Sequence, residues 1–208
     1  KIPGSEDFLI NPYGLMFHEI TASSLVKVDQ AGNKLMDSPY EINPAGYTIH
    51  SAVHAVRHDV LCVLHTHTAA GVAVSAQKQG VLPISQQSLF VLSSLGHHPY
   101  EGVALNPEEK ERLQADLGDN NFLLLHNHGL LTCGASIADT FLMMFTFQRA
   151  CEIQVATLGM GDPILVPQDV VDVHQRDLSV MSGQGGAGMF DFEAWKRRVD
   201  KIDDSWRQ

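Results

Sequence analysis

Apolar residues fall along this chain in two alternating rhythms. After Asn43 they recur at Ile49, Val53 and Val56, the spacing that lines one face of a helix. A few residues on they run without a break through "VLCVL" (60–64), as in a strand buried on both faces. The exchange repeats with the charged helical stretch "NPEEKERLQADLG", the apolar run inside "NFLLLHNHG", and the long helical segment "SIADTFLMMFTFQRACEIQVATLG". Start signals agree with the periods. Asn43 is a good cap and Pro44 suits the first helical position. Asn106, Pro107 and Glu109 form a capping-box pattern, as do Ser136 and Asp139. Thr68 is expected to cap a helix running to about Gln79 and closing at Gly80. Another is expected from Gln86 to Leu95, before Gly96. Toward the beginning, "FLI" runs into the turn "NPYG", and Ser24–Met36 reads as a hairpin of two short strands around Asp29–Asn33. "HHPYEG" is a turn or short strand. "QDVVDVHQRDLSVM" and "DFEAWKRRVDKIDDSW" are helical.

Interspersed strands and helices with no repeat predict one α/β domain over residues 1–181, its helices covering a mostly antiparallel or mixed sheet. Residues 182–208 open with "SGQGGAG" and read as a Gly-rich linker and C-terminal helix, packing on a neighbouring subunit and not on the domain's own core. The run lacks a preceding strand and a P-loop lysine, so it is not a phosphate cradle.

Charge narrows the partners. The 208 residues carry 14 basic and 24 acidic side chains, a formal net charge of −10, which repels phosphate backbones and anionic lipid. Neither nucleic acid nor a membrane is expected as a partner. No apolar run approaches the roughly 20 residues that span a bilayer, and no signal-peptide pattern opens the chain. Cys62, Cys133 and Cys151 lie scattered in apolar segments, as buried thiols of a cytoplasmic protein do. The chain begins at Lys1 without an initiator Met, and further residues are expected before it.

The candidate chemistry lies in eleven histidines, four of them in two His-x-His pairs, His65/His67 and His126/His128. Both pairs fall where predicted buried strands hand over to loops, the places where sites form. Alternation along a strand puts the two rings of such a pair on one face. Imidazole is a common ligand of zinc and other divalent first-row metals, and three ligands with an open position make a catalytic arrangement. Histidines hydrogen-bonded in the interior have the same spacing, and spacing alone leaves both readings open.

"FLINPYGLMFHEITASSLVKVD", "INPAGYTIHSAVHAVRHDVLCVLHTHTAAGVAVSAQ", "LPISQQ", "HPYEG" and "HNHGLLTCG" together resemble the class II aldolase/adducin family, in its adducin-like branch, from about Phe8 to Leu158. The resemblance implies a three-layer αβα fold of the class II aldolase type. It implies a divalent metal, zinc first and Fe(II), Mn(II) or Co(II) as alternatives, held by His65, His67 and His128. His126 falls where the family places no ligand. It also implies that Tyr100 reaches the active site of a neighbouring subunit in a homotetramer and gives a proton to the substrate.

One departure matters as much as the match. The family's metal-touching, acid/base glutamate falls on Gly46, and the two serines that hold a substrate phosphate fall on Pro44 and Ala45. A phosphosugar aldolase reading therefore lacks both its base and its phosphate cradle. His50, one turn beyond Gly46 with His54 and Arg57 further along, is a candidate to stand in for the carboxylate, with Glu101 a more distant one. Three functions follow: a metal-dependent lyase on a non-phosphorylated small-molecule carbonyl substrate (aldol cleavage, epimerisation or decarboxylation); an Fe(II)-dependent oxygenase on the same fold; and a catalytically inactive, adducin-like module with a cytoskeletal partner. The lyase leads. The chain's end, "RVDKIDDSWRQ", lacks the basic cluster that adducin tails use for their partners.

Overall fold

A computed structural model describes the chain except residues 105, 107 and 183–186; the side chains of 179–182 and 187 are also outside the description. Four strands form one mixed sheet in the order β3(Cys62–Thr66)–β6(Gly129–Gly134)–β5(Phe122–Leu125)–β4(Leu95–His98). β3 and β5 run antiparallel to β6, and β4 runs parallel to β5.

The uninterrupted apolar runs have a direct cause: the sheet is covered on both faces. Along β5, Leu123 and Leu125 pack beneath α1 (Pro44–Val56) and α4 (Glu109–Leu117), with Val63, Leu131 and Cys133 from neighbouring strands. Phe122 and Leu124 face the other way, with Leu130, against α2 (Ala69–Ser75), α3 (Gln86–Leu92) and α5 (Ile137–Leu158). Each fully buried Leu contributes about 1.5–3 kcal/mol. The result is the expected three-layer αβα sandwich. Cys133 and Cys151 are buried in it as free thiols, pushed by burial up to about 11 and about 12 respectively.

The long helices begin where their caps predict. Asn43 accepts from the Ala45 amide at 3.1 Å and Ser136 from the Asp139 amide at 3.1 Å. Other boundaries move. The Ser24–Met36 hairpin forms its turn but not its second strand. The Asp29 carboxylate accepts from the amides of Ala31 and Asn33, and a single bridge joins Val28 to Lys34. The ladder of β2 (Val26–Val28) goes instead to β1 (Phe8–Ile10), over a small separate core. α2 ends four residues short of Gln79, and α3 ends at Leu92 because Leu95–His98 is strand β4. Gly96 there is no helix cap: a Cβ would stand 2.4 Å from the Asp116 carbonyl oxygen, so glycine lets α4 lie against β4. Asn106 accepts from the Glu108 amide, but Glu109 turns its side chain inward toward His98, and the predicted box does not form. Pro107 lies outside the described residues.

α6 spans Gln168–Ser182 and α7 Ala187–Asp200. Most of the expected Gly-rich linker, 183–186, lies outside the described residues. α7, expected to reach a neighbouring subunit, rests on α5 of its own chain. Phe192 meets Phe141 at 5.5 Å, Trp195 meets Phe145 at 5.4 Å, and the Gly188 amide donates to Asp139. The aromatic residues on the outer face of α5 give α7 an apolar surface within its own chain.

Candidate metal centre

His65 is the penultimate residue of β3 and His67 follows the strand's end, so alternation carries both rings to one side. His128 arrives from the turn between β5 and β6. That turn is tight: the His128 amide donates to the Leu125 carbonyl, and Asn127 takes φ +54°, a left-handed conformation that Asn tolerates better than most residues. Gly129 closes the approach. A Cβ on it would stand 2.4 Å from the Thr66 carbonyl oxygen and 3.2 Å from the His67 ring, so only glycine lets β6 come this near to β3.

The three rings therefore meet edge to face, at centroid distances of 4.6 Å (His65–His67), 4.8 Å (His65–His128) and 4.6 Å (His67–His128). Their ligating nitrogens all lie within 4.8 Å of one another. Nitrogens bonded to one zinc at ~2.1 Å stand roughly 3–4 Å apart, so small ring rotations fit the set to an ion. His65 is already oriented for it. Its Nδ1–H donates to the Leu130 carbonyl at 2.9 Å, which leaves Nε2 a bare lone pair, 2.7 Å from His67 Nε2. Burial, with the neighbouring imidazoles adding, pushes His65 down to about 3 and lowers His128 as well. Neutral imidazoles are the ligand form. Among the described residues this is the one cluster of three or more His, Cys, Asp or Glu side chains that could hold a metal ion.

The other candidates separate. Tyr100 follows β4 in the loop toward α4, and its ring stands 6.2 Å from that of His128, about half exposed at 54 %. The sequence reading assigns it to a neighbour's site; within the single chain it already borders this triad. His50 is pushed by burial down to about 4, and its charge would act on His65, which puts it on the triad's side of α1. His54 and Arg57 do not join it. His54 packs on Phe8 at 5.1 Å, while Arg57 pairs with Asp59 and donates to the carbonyls of Gly118 and Asn120. Glu101 is tied to Arg112. His126 points away from the triad, with its Nδ1–H on the Ser75 carbonyl and its ring stacked on His97 at 5.3 Å.

Sequence reasoning passed over His98. Buried in β4, it holds Asp116 at 2.8 Å on one nitrogen and lies 3.6 Å from Glu109 on the other, anchoring the strand before Tyr100 to α4. The adjacent histidines 97 and 98 were its sole sequence signal, and a four-residue strand is too short for a period to show.

Residues 1–155 match the model of the class II aldolase and adducin N-terminal domain, and the chain belongs to that family. It is 69% identical over 212 residues to the "Putative aldolase class 2 protein PA3430" of Pseudomonas aeruginosa, covering 100% of this chain and 82% of that one. It is 40% identical to mouse alpha-adducin, covering 95% of this chain but only 29% of the adducin. The crystal structure of an aldolase II superfamily protein from Pseudomonas syringae superposes with a TM-score of 0.94 at 44% identity, covering 100% of this chain and 84% of that one. No helix among the described residues is long and apolar enough to cross a membrane.

Proposed function

We propose that this protein is a metal-dependent lyase of the class II aldolase type, acting on a non-phosphorylated carbonyl compound by aldol cleavage, epimerisation or decarboxylation. The convergence of His65, His67 and His128 carries this reading. A divalent ion there, zinc or alternatively Fe(II), Mn(II) or Co(II), supplies Lewis acidity toward a carbonyl oxygen. The Leu130 carbonyl keeps Nε2 of His65 available. Tyr100, at the edge of His128, offers its phenolic proton to an oxyanion forming over the triad. His50, held neutral by burial, orients the substrate by accepting a hydrogen bond where Gly46 brings no carboxylate. With Pro44 and Ala45 at the start of α1, no side-chain hydroxyl there greets a phosphate. The reading includes a cytoplasmic homotetramer, which light scattering checks directly.

Elemental analysis of the purified protein beside a His65→Ala/His67→Ala variant tests the centre: about one equivalent of metal in the parent and none in the variant is expected. Retro-aldol and decarboxylation assays on unphosphorylated hydroxy-ketones and keto acids then test the reaction. Tyr100→Phe should keep its metal and lose turnover; loss of metal would show that the phenol is not where the chemistry needs it.

The identity with alpha-adducin over nearly the whole chain, together with Gly46, favours a second reading, an inactive binding module with a cytoskeletal partner. A metal-loaded protein inert toward every carbonyl substrate but sedimenting with filaments would select it.

A further inference from the structure

The triad is unusual in what it lacks. No Asp or Glu among the described residues shares the cluster. Carboxylates nearby in the fold are engaged elsewhere: Glu101 with Arg112, Asp116 and Glu109 with His98. Besides burial and the Leu130 carbonyl, the groups acting on His65 are the imidazoles of His128, His67 and His50, and those acting on His128 are His67 and His98. On α1, Gly46 stands one turn before His50, and a Cβ there would meet only Asn43, at 3.7 Å. Positions 46 and 50 share one face of α1, the face whose His50 acts on His65, and at 46 that face carries no side chain.

Three neutral imidazoles leave a bound divalent ion its full double charge. Facial metal sites commonly include a carboxylate that offsets part of it. At a partly buried site an uncompensated charge is costly, so the entering ligand is selected to neutralise it. Resting on the metal-centre reading above, we propose that the substrate brings the missing anionic oxygen itself. The site then selects 2-oxo or 2-hydroxy carboxylates, which present a carboxylate and an adjacent oxygen together, over neutral hydroxy-ketones of the same size. Gly46 is the residue that sets this preference, by keeping the protein's own carboxylate out. Phosphate monoesters are served less well, because Pro44 and Ala45 carry no side-chain donor and the Ala45 amide is already given to the Asn43 side-chain oxygen.

The Co(II)-loaded protein provides the test, since its visible spectrum reports ligands entering the coordination sphere without any turnover. Pyruvate and oxalate should bind roughly tenfold or more tightly than hydroxyacetone. Gly46→Glu should weaken pyruvate by a similar factor. Gly46→Gln, equal in volume but uncharged, should leave it near the parent value, which separates charge from bulk. Hydroxyacetone binding as tightly as pyruvate, or Glu and Gln at position 46 acting alike, overturns the inference while the metal centre stands. A protein that takes up no Co(II) overturns the metal-centre reading, and the inference with it.

Discussion

The chain writes His-x-His twice, and the fold uses the two copies differently. His65 and His67 lie at the end of β3, where the backbone is still extended or nearly so, and alternation brings their rings together. In the second copy the strand has already ended at Leu125. Asn127 bends the backbone into the left-handed region, so His126 and His128 leave in opposite directions, one to Ser75 and His97, the other to the triad. An identical spacing thus contributes two ligands in one place and one in the other. Spacing has meaning only with the backbone conformation it rides on.

The largest effect that can break this comparison is on metal content. His128→Ala should empty the centre as fully as the His65/His67 double variant, while His126→Ala should retain metal and lose only about 1 kcal/mol of stability through its bond to Ser75. Equal metal loss from both single variants, read by elemental analysis, would mean that the second pair acts like the first.

Next in size is Gly129→Ala. A methyl 2.4 Å from the Thr66 carbonyl must push β6 from β3, at a cost of about 1–3 kcal/mol, visible as a lower urea midpoint and as weaker metal retention. An unchanged midpoint would show that the strands part more easily than the packing implies.

The pH dependence separates buried from open imidazoles. His50 is pushed to about 4, and His54 and His65 to about 3, below the ordinary 6.5, all chiefly by burial. A depressed folded value means the unfolded chain binds more protons, so stability is complete above pH 6.5 and falls as the pH drops toward 3–4. Thermal melts of the metal-free protein should therefore shift to lower temperature between pH 7 and pH 5, and His65→Ala should flatten that slope. A slope unchanged by the substitution would remove His65 as a contributor.

The smallest effect is at the turn itself. Asn127→Ala should cost about 1 kcal/mol, since alanine resists φ +54°, while Asn127→Gly should be nearly neutral. Chemical denaturation of the two variants side by side distinguishes backbone strain from a side-chain contact.

Local patterns carried much of the fold. Asn43–Pro44 and Ser136–Asp139 announce α1 and α5 because capping is a contact between residues two or three apart. The apolar runs announce β3 and β5 because both faces are covered. β4 was only half legible, as the turn or short strand of "HHPYEG", because its partner, β5, lies some 27 residues away, as the registers Leu95↔Phe122 and His98↔Leu125 show. β2 was given the wrong partner for a related reason: a good turn at Asp29–Asn33 does not reveal that β1 competes for the ladder.

By itself the sequence determined the family, the layered α/β architecture, and an imidazole-rich, carboxylate-poor candidate site, because these rest on residue type, period and short-range caps. The family resemblance implied His128 and not His126 as the third ligand, but only the tertiary structure decided how His128 reaches His65 and His67 while His126 turns away, that Tyr100 borders them within one chain, and that Arg57 and Glu101 are bound elsewhere. Those outcomes depend on where a tight turn points a side chain and on which distant backbone lies within a few ångströms of it, and neither is a property of neighbouring letters.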